Sequence, residues 1–574
     1  MDFGKVVYGI DDACYQNVIN TQLLESKVSK IEDFSISDLQ KIVVKFKDLA
    51  DVPSDPYRQL ELIIIASIKS WHDSGNVHRR RDMGLSDANN AITIQSMVYG
   101  NLNQRSGNGE CTTRNTITGS PELVGAYTVM CEGDDTITSK PFFDLDYIKH
   151  EAPACYADLV QSVKLIEKHF RDAQTVEFTI ENGHLYILET SNAKREPHAA
   201  IKIATDMVNN NVLSEREAIM RIDPNSISTD SSCANVIAWA MKFKRLDVYT
   251  KVSSVAEAKQ AFSMYADGIE LECSKLLMTE NRIDYLRKFI LTDCPIEREE
   301  TVGVIMSMLE GDMKELFIPY GVHKRIILHT LSDIPWNVIC PTRSACLQSD
   351  SHSMCCKADD ATYNPNNLTL VLNKALIKVV INVVTSLFSD GIMIRSPELM
   401  LNQTNEVNQL QLLLNTVSEI MNGNKASAYV RFGVQLKSPR SCILADSLPL
   451  QNIDFMGIDT EKLTTFTIGD DDFDSKKTAL DLRGVGFLIQ YASRKIRKVN
   501  PVIKLGCYGC YANDPTSILF MDELGLDYIT TNDSKMLPCA IIAAAQSHIL
   551  GMVKQREIED SEYVFWLNLD NQLF

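Results

Sequence analysis

The chain has 574 residues, 45% hydrophobic and 23% charged, with only 26 Gly and 18 Pro, a globular composition large enough for two or three domains with substantial cores, which excludes a disordered chain. Its formal net charge of -18, from 57 basic against 75 acidic residues, repels phosphate backbones and anionic lipid. Lys and Arg are dispersed apart from Arg79-Arg80-Arg81, so neither nucleic acid nor a membrane is an expected partner.

Met1-Asp2-Phe3-Gly4-Lys5 lacks the basic-then-apolar order of a secretory leader. The fifteen cysteines therefore read as reduced thiols of a cytoplasmic protein rather than a disulfide framework. Ile63-Ile64-Ile65 is too short to span a bilayer, and Leu368 to Phe388 is interrupted by Asn373, Lys374, Lys378 and Asn382; both read as buried helices. From Val6 to about Pro224, strands and helices are expected to alternate, with a strand over Ala91 to Tyr99 and an amphipathic helix over Leu159 to Arg171.

Val176 to Ile180 and Leu185 to Glu189 flank Asn182-Gly183, a hairpin signal. With a three-residue loop, Asn182 to His184, Glu177 lies opposite Glu189 while Phe178, Ile180, Tyr186 and Leu188 share the other face. Two opposed carboxylates repel unless a cation such as Mg²⁺ sits between them or both point into water, and both readings stay open. Ser226 to Ser232 is a polar break, and Val236 to Lys244 reads as a helix.

Beyond it, short apolar strand candidates recur with helices between them: Asp247 to Thr250, Gly268 to Leu271, Arg325 to Leu328, Tyr429 to Leu436, Phe455 to Ile458, Ile503 to Gly506 and Tyr528 to Thr530. That rhythm predicts a (β/α)8 barrel with insertions. Cys340, Cys346, Cys355, Cys356 and His352 lack the paired spacing of a zinc site. Cys507 and Cys510 form a C-x-x-C without the helix start that would make a reactive dithiol. Gly469-Asp470-Asp471-Asp472 is too small a cluster for a Ca²⁺ loop.

Gly506-Cys507-Tyr508-Gly509-Cys510-Tyr511-Ala512-Asn513-Asp514-Pro515 resembles the glycine-rich strand end that carries the catalytic cysteine of pyruvate phosphate dikinase, with Tyr508 in that cysteine's place. Asn90 to Asn101, Leu165 to Asp172, Glu177 to Ile180 and Leu188 to Arg195 resemble pieces of the same family's ATP-grasp domain. The resemblance implies vestigial Mg-ATP positions at Glu177 and Glu189, with Ser191 replacing an arginine and Ala126 a glutamate. It also implies two missing parts: a first nucleotide-clamp subdomain ahead of Gly4-Lys5-Val6-Val7, and the phosphohistidine domain between Asp223-Pro224-Asn225-Ser226 and Ala234-Asn235-Val236-Ile237.

Gly433 to Arg440 and Phe455 to Leu463 resemble the strand ends that hold the family's metal, and Lys437 and Lys462 occupy the two carboxylate positions. An ammonium has no lone pair to donate and repels a divalent ion. Cys273 stands where a phosphate-binding arginine is implied, and a second is replaced around His329. The two lysines either form a new anion pocket at the barrel rim or pair with Glu461, Asp470, Asp471 and Asp472.

The expected organisation is therefore α/β: a truncated ATP-grasp-like domain over 1-225, a linker and helix over 226-246, and a phosphoenolpyruvate/pyruvate-binding-like (β/α)8 TIM-type barrel over 247-574. The expected function is a catalytically inactive scaffold in a larger protein assembly, cytoplasmic or cytoskeleton-associated, without cofactor or bound metal. The resemblance also implies a homodimer through the barrel. The alternatives are a sensor that keeps weak Mg-nucleotide binding and a residual phosphotransferase acting on pyruvate and phosphoenolpyruvate.

Overall fold

A computed structural model describes residues 2–29, 31, 34–82, 91–131, 143–227, 233–292, 294–331, 365–401, 411, 414–415, 417–420, 429–448, 453–469 and 480–554. The cysteine-rich stretch from Cys340 to Cys356 and the Asp470-Asp471-Asp472 cluster lie outside them. Chain contacts divide the protein into two compact units, Met1–Val98 with Val564–Phe574, and Tyr99–Tyr563.

The first unit is helical, where alternation of strands and helices was expected: Asp2–Tyr8, Asp12–Ser26, Ile36–Leu49, Pro56–Trp71 and Ser74–Asp82 are all helices. Local chemistry sets their starts. Asp11 and Asp55 accept backbone N–H groups of the first turns, and Ser35 with Asp38 forms a capping box. Ile19, Phe34 and Ile42 form a small core, and Tyr15 meets Phe46 edge-on at 5.0 Å. The strand expected over Ala91 to Tyr99 is absent. Ile92, Ile94 and Met97 are exposed, because an alternating run becomes a strand only where a sheet edge accepts it.

The second unit opens with an antiparallel sheet, β1 (Gly107–Thr112), β2 (Val124–Val129), β3 (Phe143–Asp144), β4 (Gln174–Glu181) and β5 (His184–Asn192), in the order β3-β2-β1-β4-β5. Helix Pro153–Phe170 buries Cys155, Leu159 and Val163 against Val176, Phe178 and Ile180 of β4, a spacing of four that keeps one helix face on the sheet. The β4–β5 turn is tighter than expected. Asn182 and Gly183 both have positive φ, at 49° and 81°, giving a two-residue turn with Glu181 opposite His184. A bulge between Glu177 and Phe178 then shifts the register, so Glu177 still faces Glu189. Leu185 and Ile187 pack on the core in place of the expected Tyr186 and Leu188, and Tyr186 is exposed.

Eight parallel strands follow and close into a barrel in chain order: β6 (Asp247–Val252), β7 (Gly268–Glu272), β8 (Arg325–His329), β9 (Glu398–Leu401), β10 (Arg431–Leu436), β11 (Phe455–Asp459), β12 (Lys504–Tyr508) and β13 (Tyr528–Thr531). Seven match the expected strands. β9 was not among the expected strands.

Helices Thr369–Ser389 and Ser534–Lys554 are long and apolar enough to cross a membrane, contrary to the reading of Leu368 to Phe388 as too interrupted, yet 56% and 61% of their apolar windows are buried inside the protein. Helix Ala234–Phe243 and the Gln546 side chain join sheet to barrel; the Gln546 Nε2 donates to the Ile219 and Ile222 carbonyls, at 2.8 Å each.

Inward strand positions fill the bore. Tyr249, Ile327, Met400, Phe455 and Tyr528 form one buried cluster. Room for the rings comes from glycines on neighbouring strands: a Cβ at Gly433 would meet the Phe455 ring at 2.3 Å, and one at Gly506 the Tyr528 ring at 2.4 Å. Arg325 is enclosed there, its Nε donating to Glu398 at 2.5 Å and its Nη1 to the Tyr249 hydroxyl at 3.1 Å. Its guanidinium lies 4.8 Å from the Tyr528 ring centre and 5.2 Å from that of Phe455.

Removing one member of a buried pair strands the other charge. Glu398→Gln should therefore destabilise the protein by about 3 kcal/mol, whereas Arg325→Met with Glu398→Leu should recover most of that loss, as read by urea unfolding.

Candidate functional site

The C-terminal mouth of the barrel is where this fold assembles chemistry. Tyr508 ends β12 and is only 1% exposed. It fits because β11 offers Gly457 alongside, where a Cβ would stand 3.1 Å from the tyrosine ring. Gly509 follows at φ 118°, a conformation that favours glycine, and the Thr460 hydroxyl donates to the Tyr508 carbonyl at 2.9 Å. Burial, with Asp459 and Glu270 nearby, pushes the Tyr508 phenol well above its ordinary pKa. The phenol thus stays protonated.

Charged side chains surround this ring. The Lys251 Nζ lies 4.6 Å from its centre, and the His329 imidazole meets it edge-on at 6.0 Å. Glu270, fully buried on β7, accepts from the His329 Nε2 at 2.8 Å and the Thr530 hydroxyl at 2.7 Å. Burial opposes its ionisation, but the His329 hydrogen bond and charge, with Lys251 and Thr530, hold its carboxyl below the ordinary range. An ionised Glu270 makes His329 Nε2 the donor. Glu272 joins Lys251 at 3.7 Å and Lys275 at 2.5 Å. Asp459 is buried, which raises its pKa against the pull of Lys251.

The residues singled out from sequence occupy different surroundings. Lys437 is half-buried just past β10, and Lys462 is exposed. The Lys462 backbone N–H donates to Asp459 Oδ1 at 3.0 Å, so Asp459 caps helix Thr460–Ile468. Cys273 is completely buried and its thiol is pushed up to about 12 by burial. Cys507 is likewise buried, with its thiol pushed far up, the opposite of a reactive dithiol. Lys251, Glu270 and Asp459 were missed by sequence reasoning; their signal was a charge at alternate, inward positions of otherwise apolar strands.

On the sheet, pairing brings Asp144, Ala126, Glu110, Glu177 and Glu189 into one row across all five strands. Glu110 was not anticipated, since only the register of β1 places it beside Glu177. Glu110, Glu177, Glu189 and Ser191 are exposed. Burial, then Glu189 and Glu110, raise the Glu177 pKa. Among the described residues, no three His, Cys, Asp or Glu side chains converge closely enough to hold a metal ion.

Comparison with known proteins agrees with this architecture. Residues 361–548 match the family model of the PEP-utilising enzyme, PEP-binding domain, which sets the class of the barrel. Pyruvate, phosphate dikinase of Clostridium symbiosum is 22% identical over 741 residues, covering 95% of this chain and 84% of that protein. The Rickettsia conorii enzyme of the same name is 33% identical over 279 residues, covering 46% of this chain and 30% of that protein. Over 95% of its length the chain is thus similar to a pyruvate, phosphate dikinase. An alignment of 741 residues exceeds this chain's length of 574, so the Clostridium enzyme carries internal segments that have no counterpart here. Among solved structures, a Mycobacterium tuberculosis citrate lyase beta subunit covers 52% of this chain at 8% identity and a TM-score of 0.28, with 97% of that protein covered; the likeness is too slight to bear on function.

Directly opposed carboxylates destabilise a sheet by about 0.2–1 kcal/mol, so Glu189→Gln should raise stability by that order. Because Glu177 holds its proton more tightly folded than unfolded, its contribution to stability is complete below the ordinary carboxylate range and is lost as pH rises through the raised value. Urea unfolding across that window should show this slope in the native protein and lose it in Glu177→Gln.

Proposed function

We propose that this chain is a catalytically inactive member of its family that serves as a structural component of a larger protein assembly, cytoplasmic or cytoskeletal. One observation carries the reading. The Tyr508 ring, packed against Lys251 and His329, fills the part of the barrel mouth where the resemblance sets an acid, a divalent metal and a phosphate. A protonated phenol there has neither the pKa of a thiol acid nor an adjacent enolate to serve. Lys437 and Lys462 replace both metal-holding carboxylates, and buried Cys273 offers no charge to a phosphate. A closed barrel remains a stable body with large surfaces after its chemistry is gone.

A second reading has its own observation. The row Glu110, Glu177 and Glu189 carries like-charge repulsion that a divalent cation would relieve. On that reading the protein is a regulatory subunit that senses a Mg-nucleotide on its sheet. A residual phosphotransferase is the least supported, since it needs both a metal site and a phosphoryl carrier.

Calorimetric titration with Mg-ATP and then phosphoenolpyruvate, cross-checked by thermal scans, separates these readings. A ligand at 100 times its Kd stabilises by about 2.7 kcal/mol. The structural reading expects no heat and no thermal shift from either ligand, and unchanged assembly on Glu177→Gln with Glu189→Gln. Heat from Mg-ATP that vanishes in Glu177→Gln contradicts it in favour of the sensor.

A further inference from the structure

Two helices on the outside of the barrel carry opposite charge. Helix Val485–Val499, which leads into β12, holds Arg494, Lys495, Arg497 and Lys498 and no acid, on a chain whose net charge is -18. Helix Pro295–Tyr320, which leads into β8, holds six carboxylates against two cations. Four strands of the closed ring separate the two helices in either direction, so they lie on opposite sides of the barrel and cannot meet within one chain.

On the basic helix, Lys495 pairs with Asp446 at 2.7 Å and Arg497 with Asp527 at 2.5 Å, whereas Arg494 and Lys498 are exposed and in no ion pair among the described residues. They continue an outward stripe from Phe487, 56% exposed, whose ring stacks on that of Tyr491 at 6.0 Å. On the acidic helix, Glu299 and Glu300 are likewise exposed and in no ion pair among the described residues, and exposed Val304, Ser307 and Gly311 extend their stripe. A Cβ at Gly311 would meet nothing within 4 Å, so its own chain gives no packing reason for a residue that weakens a helix. The two stripes have one spacing. From Phe487 to Tyr491, Arg494 and Lys498 the steps are four, three and four residues, and from Gly311 back to Ser307, Val304 and Glu300 they are the same.

We infer that helix Val485–Val499 of one copy docks antiparallel on helix Pro295–Tyr320 of a second copy, with Lys498 and Arg494 against Glu300 and Glu299 and the two aromatic rings over Ser307 and Gly311, where little side chain stands in their way. The contact is heterologous. Each copy keeps one basic and one acidic face on opposite sides, so addition runs on as an open row instead of closing at a dimer. This deepens the structural reading proposed above and rests on it for the purpose of the contact, while its test reads association alone.

Sedimentation velocity of the full chain provides that test. The sedimentation coefficient should rise continuously up to about 100 μM protein, past the value of a dimer, and should fall as salt is raised, because exposed charges carry the contact. Arg494→Glu with Lys498→Glu, and separately Glu299→Lys with Glu300→Lys, should each weaken association by about tenfold or more with the circular dichroism unchanged. An equimolar mixture of the two variants should restore it, since each offers the charge that the other lacks. A chain that stays monomeric throughout overturns the inference. So does a closed dimer that both variants leave intact, or a pair of folded variants whose mixing restores nothing.

Discussion

Closure of eight parallel strands leaves a bore that side chains must fill without help from water, and this constraint governs the rest of the molecule. At one level the filling is an enclosed ion pair, Arg325 with Glu398, wrapped by Tyr249, Phe455 and Tyr528. Each ring fits only because a neighbouring strand contributes a glycine. Such a pair adds little net stability, since desolvation offsets most of the attraction, but its loss on one side is costly. It rewards the one register in which all eight strands meet.

The same rule applies one layer higher, at the C-terminal mouth. Tyr508, Lys251, His329, Glu270 and Asp459 gather across the mouth, with Lys251 and His329 on the tyrosine ring and Glu270 on His329. Glu270 spends its acceptors on His329 and Thr530, and Asp459 spends one on the start of a helix. Packing and charge are therefore linked: the buried Tyr508 ring that closes the end of β12 also carries Lys251 on its face. The structural role proposed above rests on this packing.

Much of this was legible in the residues. Runs such as Gly268 to Leu271 and Tyr528 to Thr530 are short, apolar and bounded, so their strand nature and the barrel rhythm could be read directly. The opposition of Glu177 and Glu189 could be foreseen, though for the wrong reason, because a two-residue turn and a bulge together give the pairing that a three-residue turn was expected to give. What could not be read depends on long-range pairing. Glu110 joins its row only through the β1 register, Ala91 to Tyr99 alternates without an edge to join, and β9 is recognisable only once Glu398 has met Arg325. Inward charges such as Lys251 look like breaks in a strand until the bore supplies their partners.

The central claim is that the filled mouth performs no enolate chemistry, and proton exchange at the pyruvate methyl group reads that chemistry without requiring nucleotide or phosphoryl transfer. Incubation of the protein with pyruvate and Mg²⁺ in D₂O, followed by NMR, should show deuterium incorporation no faster than buffer alone. Protein-dependent incorporation that disappears in Tyr508→Phe would contradict the account and make Tyr508 a working acid.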